Sequence, residues 1–86
     1  MTYPTYTDLN RAYEALPGTI YSNELKGELF HILAGGQENA ADTLGDGEID
    51  ESELEAITLT TIEISLCERS TSDAARAWAT AQGLKF

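Results

Sequence analysis

The sequence predicts an all-α fold, a compact bundle of about four short helices, on three observations. Apolar residues recur at helical spacing, as in Leu9, Ala12, Tyr13 and Leu16, and again in Leu25, Leu29, Ile32 and Leu33. Residues that cap helix N-termini precede these stretches, and glycine or Pro-Gly follows them. The one stretch that alternates as a strand does, within 57–66, has no second strand to pair with, and an isolated strand gains little by itself.

Eighty-six residues make a single domain, 1–86, and a chain this short buries only about 60–65% of the surface its unfolded form exposes. Fifteen Asp and Glu against five Lys and Arg give a net charge of -10. The imbalance is local: no basic residue lies between Lys26 and Arg69, whereas Glu38 to Glu55 carries eight carboxylates. Such a field repels nucleic acid and anionic lipid and attracts basic protein surfaces or cations. Direct nucleic-acid binding is therefore not expected. No apolar run approaches the ~20 residues of a membrane span, and no basic segment followed by an apolar one marks a secretory leader. With Cys67 as its one cysteine, the chain has no internal disulfide, and a reducing cytoplasm is the expected location.

Taken in order, residues 1–6 read as an extended arm, because Pro4 disfavours helix at the residue before it. Thr7 is placed to cap a helix from Asp8, which Pro17-Gly18 ends. Ser22 is placed to cap the second helix, and Gly35-Gly36 to end it. Residues 37–50 then form an acidic inter-helix loop, in which 37–41 are open between one more helical turn and loop. Asp50 and Glu53 have the spacing of a capping box, with Ile49 and Leu54 as its hydrophobic staple, and open a third helix from Glu51 to Arg69. Its seam reads Leu54, Ile57, Thr61 and Ile64. Six of the ten residues 57–66 are β-branched, which makes a strand there the alternative. Ser70-Thr71-Ser72 opens a fourth, alanine-rich helix carrying Trp78, and Gly83 closes it with Leu84 packing back.

The chemistry of the chain concentrates in Asp42 to Glu53. In a twelve-residue register Asp42 stands first, Asp46 fifth, Gly47 sixth, Glu48 seventh, Ile49 eighth, Asp50 ninth and Glu53 twelfth. This pattern resembles the calcium loop of EF-hand and dockerin-type modules, over Asp42 to Ile57 only. The resemblance implies Ca2+ as a possible ligand and Asp42, Asp46, Glu48, Asp50 and Glu53 as its metal ligands. Leu44 departs from the pattern at the third position, where the family carries Asp or Asn, so the implied site is weak. Without metal, Gly45-Asp46-Gly47 is a turn and Asp50 with Glu53 a helix cap.

Elsewhere no catalytic constellation assembles. His31 lacks a carboxylate or cysteine partner in sequence and reads as a core-edge residue, and Cys67 as a small buried apolar group. The expected function is thus a non-enzymatic protein-interaction module. Its acidic face, Glu38, Asp42, Asp46, Glu48, Asp50, Glu51 and Glu55, would dock on a basic partner surface, with Tyr3 and Tyr6 as anchors. In size and charge the chain resembles small acidic phage-type inhibitor proteins, including mimics of nucleic acid, which implies action in a host cytoplasm. The alternative is a weak calcium-binding module built on the single loop.

Overall fold

Among the described residues the chain folds into four helices: α1 (Tyr6–Glu14), α2 (Glu24–Leu44), α3 (Glu51–Leu66) and α4 (Asp73–Ala81). The computed structural model describes residues 3–45, 47 and 50–86. Helices α2 and α3 form the central antiparallel pair, joined by the short segment 45–50, and α1 and α4 pack against it. One apolar cluster holds the four together. Leu9 comes from α1, Leu29 and Leu33 from α2, Leu59, Ile62 and Leu66 from α3, Ala75 and Ala79 from α4, and Leu84 from the tail. Among the described residues no helix is long and apolar enough to cross a membrane.

Two starts differ from the sequence expectation. The cap of α1 is Thr5, not Thr7. The Thr5 hydroxyl accepts the Asp8 N–H at 3.1 Å while the Asp8 carboxylate accepts the Thr5 N–H at 3.0 Å. Thr5 stands three residues before Asp8, so both orphan groups are satisfied reciprocally, which Thr7 could not do. Tyr6 therefore opens the helix instead of ending an arm. The cap of α2 is Asn23, whose Oδ1 accepts the Lys26 N–H at 3.2 Å. Ser22 is used one step earlier, its hydroxyl accepting the Thr19 N–H in the connecting turn.

The largest correction concerns Gly35-Gly36, which does not end α2. The helix continues for eight more residues to Leu44, with Gly45 as its C-cap, so the inter-helix loop shrinks from 37–50 to 45–50. The reason lies in α3. A Cβ on Gly36 would stand 2.7 Å from Ile62 Cγ1 and 3.0 Å from the Thr58 carbonyl, so the bare backbone at Gly36 is what lets the two helices approach. Gly35 faces outward, and a Cβ there meets nothing.

Residues 57–66 are helix, not strand. A strand would place Ile62, Ile64 and Leu66 on one face. Ile62 and Leu66 are buried, whereas Ile64 is 61% exposed, and the buried positions 58, 62 and 66 step by one helical turn. The expected seam through Thr61 and Ile64 is accordingly rotated onto Thr58, Leu59, Ile62 and Leu66. The threonines fit a helix because their hydroxyls turn back onto it, Thr58 onto the Leu54 carbonyl at 2.7 Å and Thr61 onto that of Ile57 at 2.9 Å. The helix ends at Leu66 rather than Arg69.

The fourth helix starts and stops as its sequence predicts. Ser72 is the N-cap, accepting the Ala75 N–H. At the other end Gly83 takes φ 99°, its N–H donates to the Thr80 carbonyl, and the Leu84 N–H donates to that of Ala79. This is a Schellman closure, and it brings Leu84 into the core.

Candidate acidic interaction face

The loop end of the α2–α3 pair gathers most of the predicted acidic residues. Glu38 and Asp42 lie one turn apart in the last two turns of α2, and both are exposed. Asp50, Glu51 and Glu53, also exposed, open α3 on the other side of the short connection. Asp46 and Glu48 lie outside the described residues. Of the remaining predicted residues, Glu55 is turned inward, and its carboxylate accepts the Tyr6 N–H at the start of α1. Tyr6 is half-buried against the core and donates its hydroxyl to Gln37 at 3.5 Å. Tyr3 is 41% exposed, and the partial covering of its ring, then Glu63 of α3 beside it, push its phenol up to about 12. Burial likewise raises the Tyr6 phenol.

The positive charge of the chain is used elsewhere, in a pattern the sequence does not show. Lys26 of α2 gives its ammonium to the Leu16 and Gly18 carbonyls, both at 2.9 Å, fixing the turn that follows α1. Arg76 of α4 gives Nε to the Leu66 carbonyl at 2.9 Å and Nη2 to that of Glu68 at 2.7 Å, closing α3. Unpaired carbonyls at a helix C-terminus attract cations, so Arg76 meets both charge and hydrogen-bonding need at the end of α3. The negative counterparts are Glu55 of α3, which accepts the Tyr6 N–H at the start of α1, and Glu28 of α2, which accepts both the N–H and the hydroxyl of Ser72 at the start of α4. Spacing of charge along the chain carries no signal for these four contacts, because each joins a helix end, or the turn beyond it, to a different helix.

The acidic face is left uncompensated as a result. Among the described residues the ion pairs are Arg11 with Asp8 at 3.8 Å and Arg76 with Asp73 at 3.2 Å, and neither involves the 38–55 carboxylates. Helix dipoles treat the two sides of the face oppositely. Glu51 and Glu53 sit in the first turn of α3, where negative charge is favoured, whereas Asp42 sits in the last turn of α2, where it is not.

In the calcium-loop register the first three positions, Asp42 to Leu44, are helical residues of α2. Asp50 accepts the Ser52 N–H at 2.8 Å as N-cap of α3, and Glu53 follows in the first turn. The predicted staple involves Ile49, outside the described residues. Among the described residues no three His, Cys, Asp or Glu side chains stand close enough to hold a metal ion.

Two other surfaces were not foreseen. Cys67, expected buried, is exposed, and with Ile64 and Phe86 it forms an apolar patch on the outer side of α3. Tyr6, Tyr13 and Phe30 line an open cleft of about 460 Å³ between α1 and α2. His31, expected at the core edge, is exposed, its ring set edge-on to that of Phe30 at 5.5 Å. Compared with protein-family models, with curated proteins and with solved structures, the chain matches none.

Proposed function

We propose that this protein is a non-enzymatic interaction module that docks the loop end of its α2–α3 pair on a basic surface of a partner protein. The observation that supports this reading is the uncompensated face itself: Glu38, Asp42, Asp50, Glu51 and Glu53 are exposed at one end of the bundle. Lys26 and Arg76, which could have offset them, are committed to backbone carbonyls at and just beyond helix ends instead. Asp42 supports it further, because a carboxylate in the last turn of a helix costs stability, typically about 0.3–1 kcal/mol, and no hydrogen bond or ion pair among the described residues uses it. Charge of this kind steers association and raises the on-rate, and its effect falls with ionic strength. A partner surface that itself binds nucleic acid meets the same description, which makes inhibition by mimicry the specific form of the proposal.

The test is affinity capture with the intact protein and with the variant Asp42→Lys, Glu51→Lys, Glu53→Lys, with melting curves to show that both fold. The captured partner is expected to carry a basic surface, to elute as salt is raised, and to be lost from the variant. Retention by the variant, or binding indifferent to salt, would count against the acidic face.

A further inference from the structure

The cleft between α1 and α2 has aromatic walls interspersed with polar side chains. Tyr6 and Tyr13, a helical i, i+7 pair, project from α1, with Glu14 beside Tyr13. Phe30 and Gln37, again i and i+7, project from α2, and buried Leu33 lies between them. The Tyr6 hydroxyl meets Gln37 at one end. Its volume of about 460 Å³ is within the range of small-ligand clefts, roughly 300–1,000 Å³.

We propose that this cleft receives one arginine or lysine side chain of the basic partner, its aliphatic stem along Leu33 and its charged head among the aromatic rings and Glu14. This rests on the reading of the partner as basic given above. Three features select a cation over an apolar group. Aromatic faces attract positive charge, and Tyr6 and Phe30 line the cleft with no cation on their rings among the described residues, whereas the Tyr13 ring already holds the Lys26 ammonium 5.4 Å from its centroid. Lys26 itself is committed to the Leu16 and Gly18 carbonyls and does not line the cleft. The second feature is Glu14, exposed and without a cation partner among the described residues. It is also the last residue of α1, where the helix dipole adds negative potential. Third, Glu38 follows Gln37 of the cleft wall, about 100° further round α2, so the acidic residues begin one position beyond the cleft. A basic segment lying on that face reaches the cleft without leaving the surface of α2.

The test uses the full chain and two probes of one shape, N-acetyl-arginine amide and its uncharged isostere N-acetyl-citrulline amide, at physiological salt. Ring-proton NMR shifts of Tyr6, Tyr13 and Phe30 are the readout. The arginine probe is expected to saturate these shifts at least about 5-fold more tightly than citrulline, as a partly desolvated cation–π site requires. Phe30→Leu, at a position 40% exposed, should keep the fold and weaken the arginine probe about 3-fold, and Phe30→Tyr should restore it. Equal binding of the two probes, or an unchanged titration in Phe30→Leu, would overturn the assignment. The two readings fail separately. Reversing Asp42, Glu51 and Glu53 should abolish partner capture while leaving the arginine titration in the cleft saturable, because none of the three lines it. Partner capture that survives Phe30→Leu undiminished would overturn the cleft and leave the acidic face standing.

Discussion

Glu28, in the second turn of α2, accepts both the backbone N–H and the hydroxyl of Ser72, the N-cap of α4, across 44 residues of sequence. The Ser72 hydroxyl in turn accepts the Ala75 N–H at 3.2 Å, so a single carboxylate anchors the start of the last helix to the central pair. Removing either partner should cost about 1 kcal/mol, the usual worth of a cap or a charge-assisted hydrogen bond. Because they act through one network, Glu28→Ala and Ser72→Ala should not add. A double-mutant cycle by urea denaturation is expected to show a coupling of about 0.5 kcal/mol or more, and strict additivity would refute the linkage.

Neighbouring glycines in α2 should respond oppositely to the same change. Gly35→Ala places a methyl group in open space on a helix interior and should stabilise by about 0.5–1 kcal/mol. Gly36→Ala drives a methyl into Ile62, a buried β-branched residue, and into the Thr58 carbonyl. Despite the same gain in helix propensity it should destabilise by about 1–3 kcal/mol, as overpacking does. Thermal melts of the pair decide it: two shifts of the same sign would mean that α2 and α3 are not in this register.

Arg76 closes α3 through two carbonyls at different heights, a fork that a lysine ammonium cannot reproduce. Arg76→Lys should therefore recover only part of the stability lost in Arg76→Met, which is expected to be about 1–2 kcal/mol. Denaturant midpoints measured side by side would show it, and full recovery by lysine would reduce the contact to simple charge attraction.

Asp42→Lys makes two predictions at once. At the C-terminal end of α2 the substitution replaces a disfavoured charge with a favoured one, and should raise stability by a few tenths to about 1 kcal/mol. At the same time it should weaken partner binding and lower its salt sensitivity. A variant that is more stable yet binds less well separates a functional carboxylate from a structural one.

The alkaline limit of the fold should be set in part by Tyr3. Its phenol has a raised pKa in the folded state, about 12 against an ordinary 10.0, from burial and then from Glu63. A group raised on folding contributes stability that is complete below its unfolded pKa and is lost as pH rises through the folded one. Helical ellipticity under fixed denaturant should fall between pH 10 and 12, with Tyr6 acting in the same direction. Tyr3→Phe should flatten that fall, and an unaltered profile would show that Tyr3 is not held against α3. At the acid end Asp8 has the opposite sense. The Thr5 backbone N–H and then its hydroxyl lower the Asp8 pKa, so the α1 cap is lost only as pH drops below the ordinary 3.8.

The sequence by itself determined the helical class, the four elements, the start and Schellman end of α4, and the concentration of carboxylate between Glu38 and Glu55. These follow from periodicity, capping residues and composition, which are local properties. Where two local signals competed, only the tertiary structure decided. Gly35-Gly36 carries the mark of a helix end, but Ile62, 26 positions further on, requires a bare backbone at Gly36, and the helix continues. Residues 57–66 carry β-branched side chains, yet burial of Thr58, Ile62 and Leu66 against α2 exceeds a strand preference that has no partner to satisfy it. The charged contacts of Lys26, Glu28, Glu55 and Arg76 were illegible for the same reason. A helix end, or the turn beyond it, is satisfied by whatever side chain the fold brings to it, and here each comes from another helix. That commitment removes Lys26 and Arg76 from the surface balance and leaves the acidic end of the bundle unopposed.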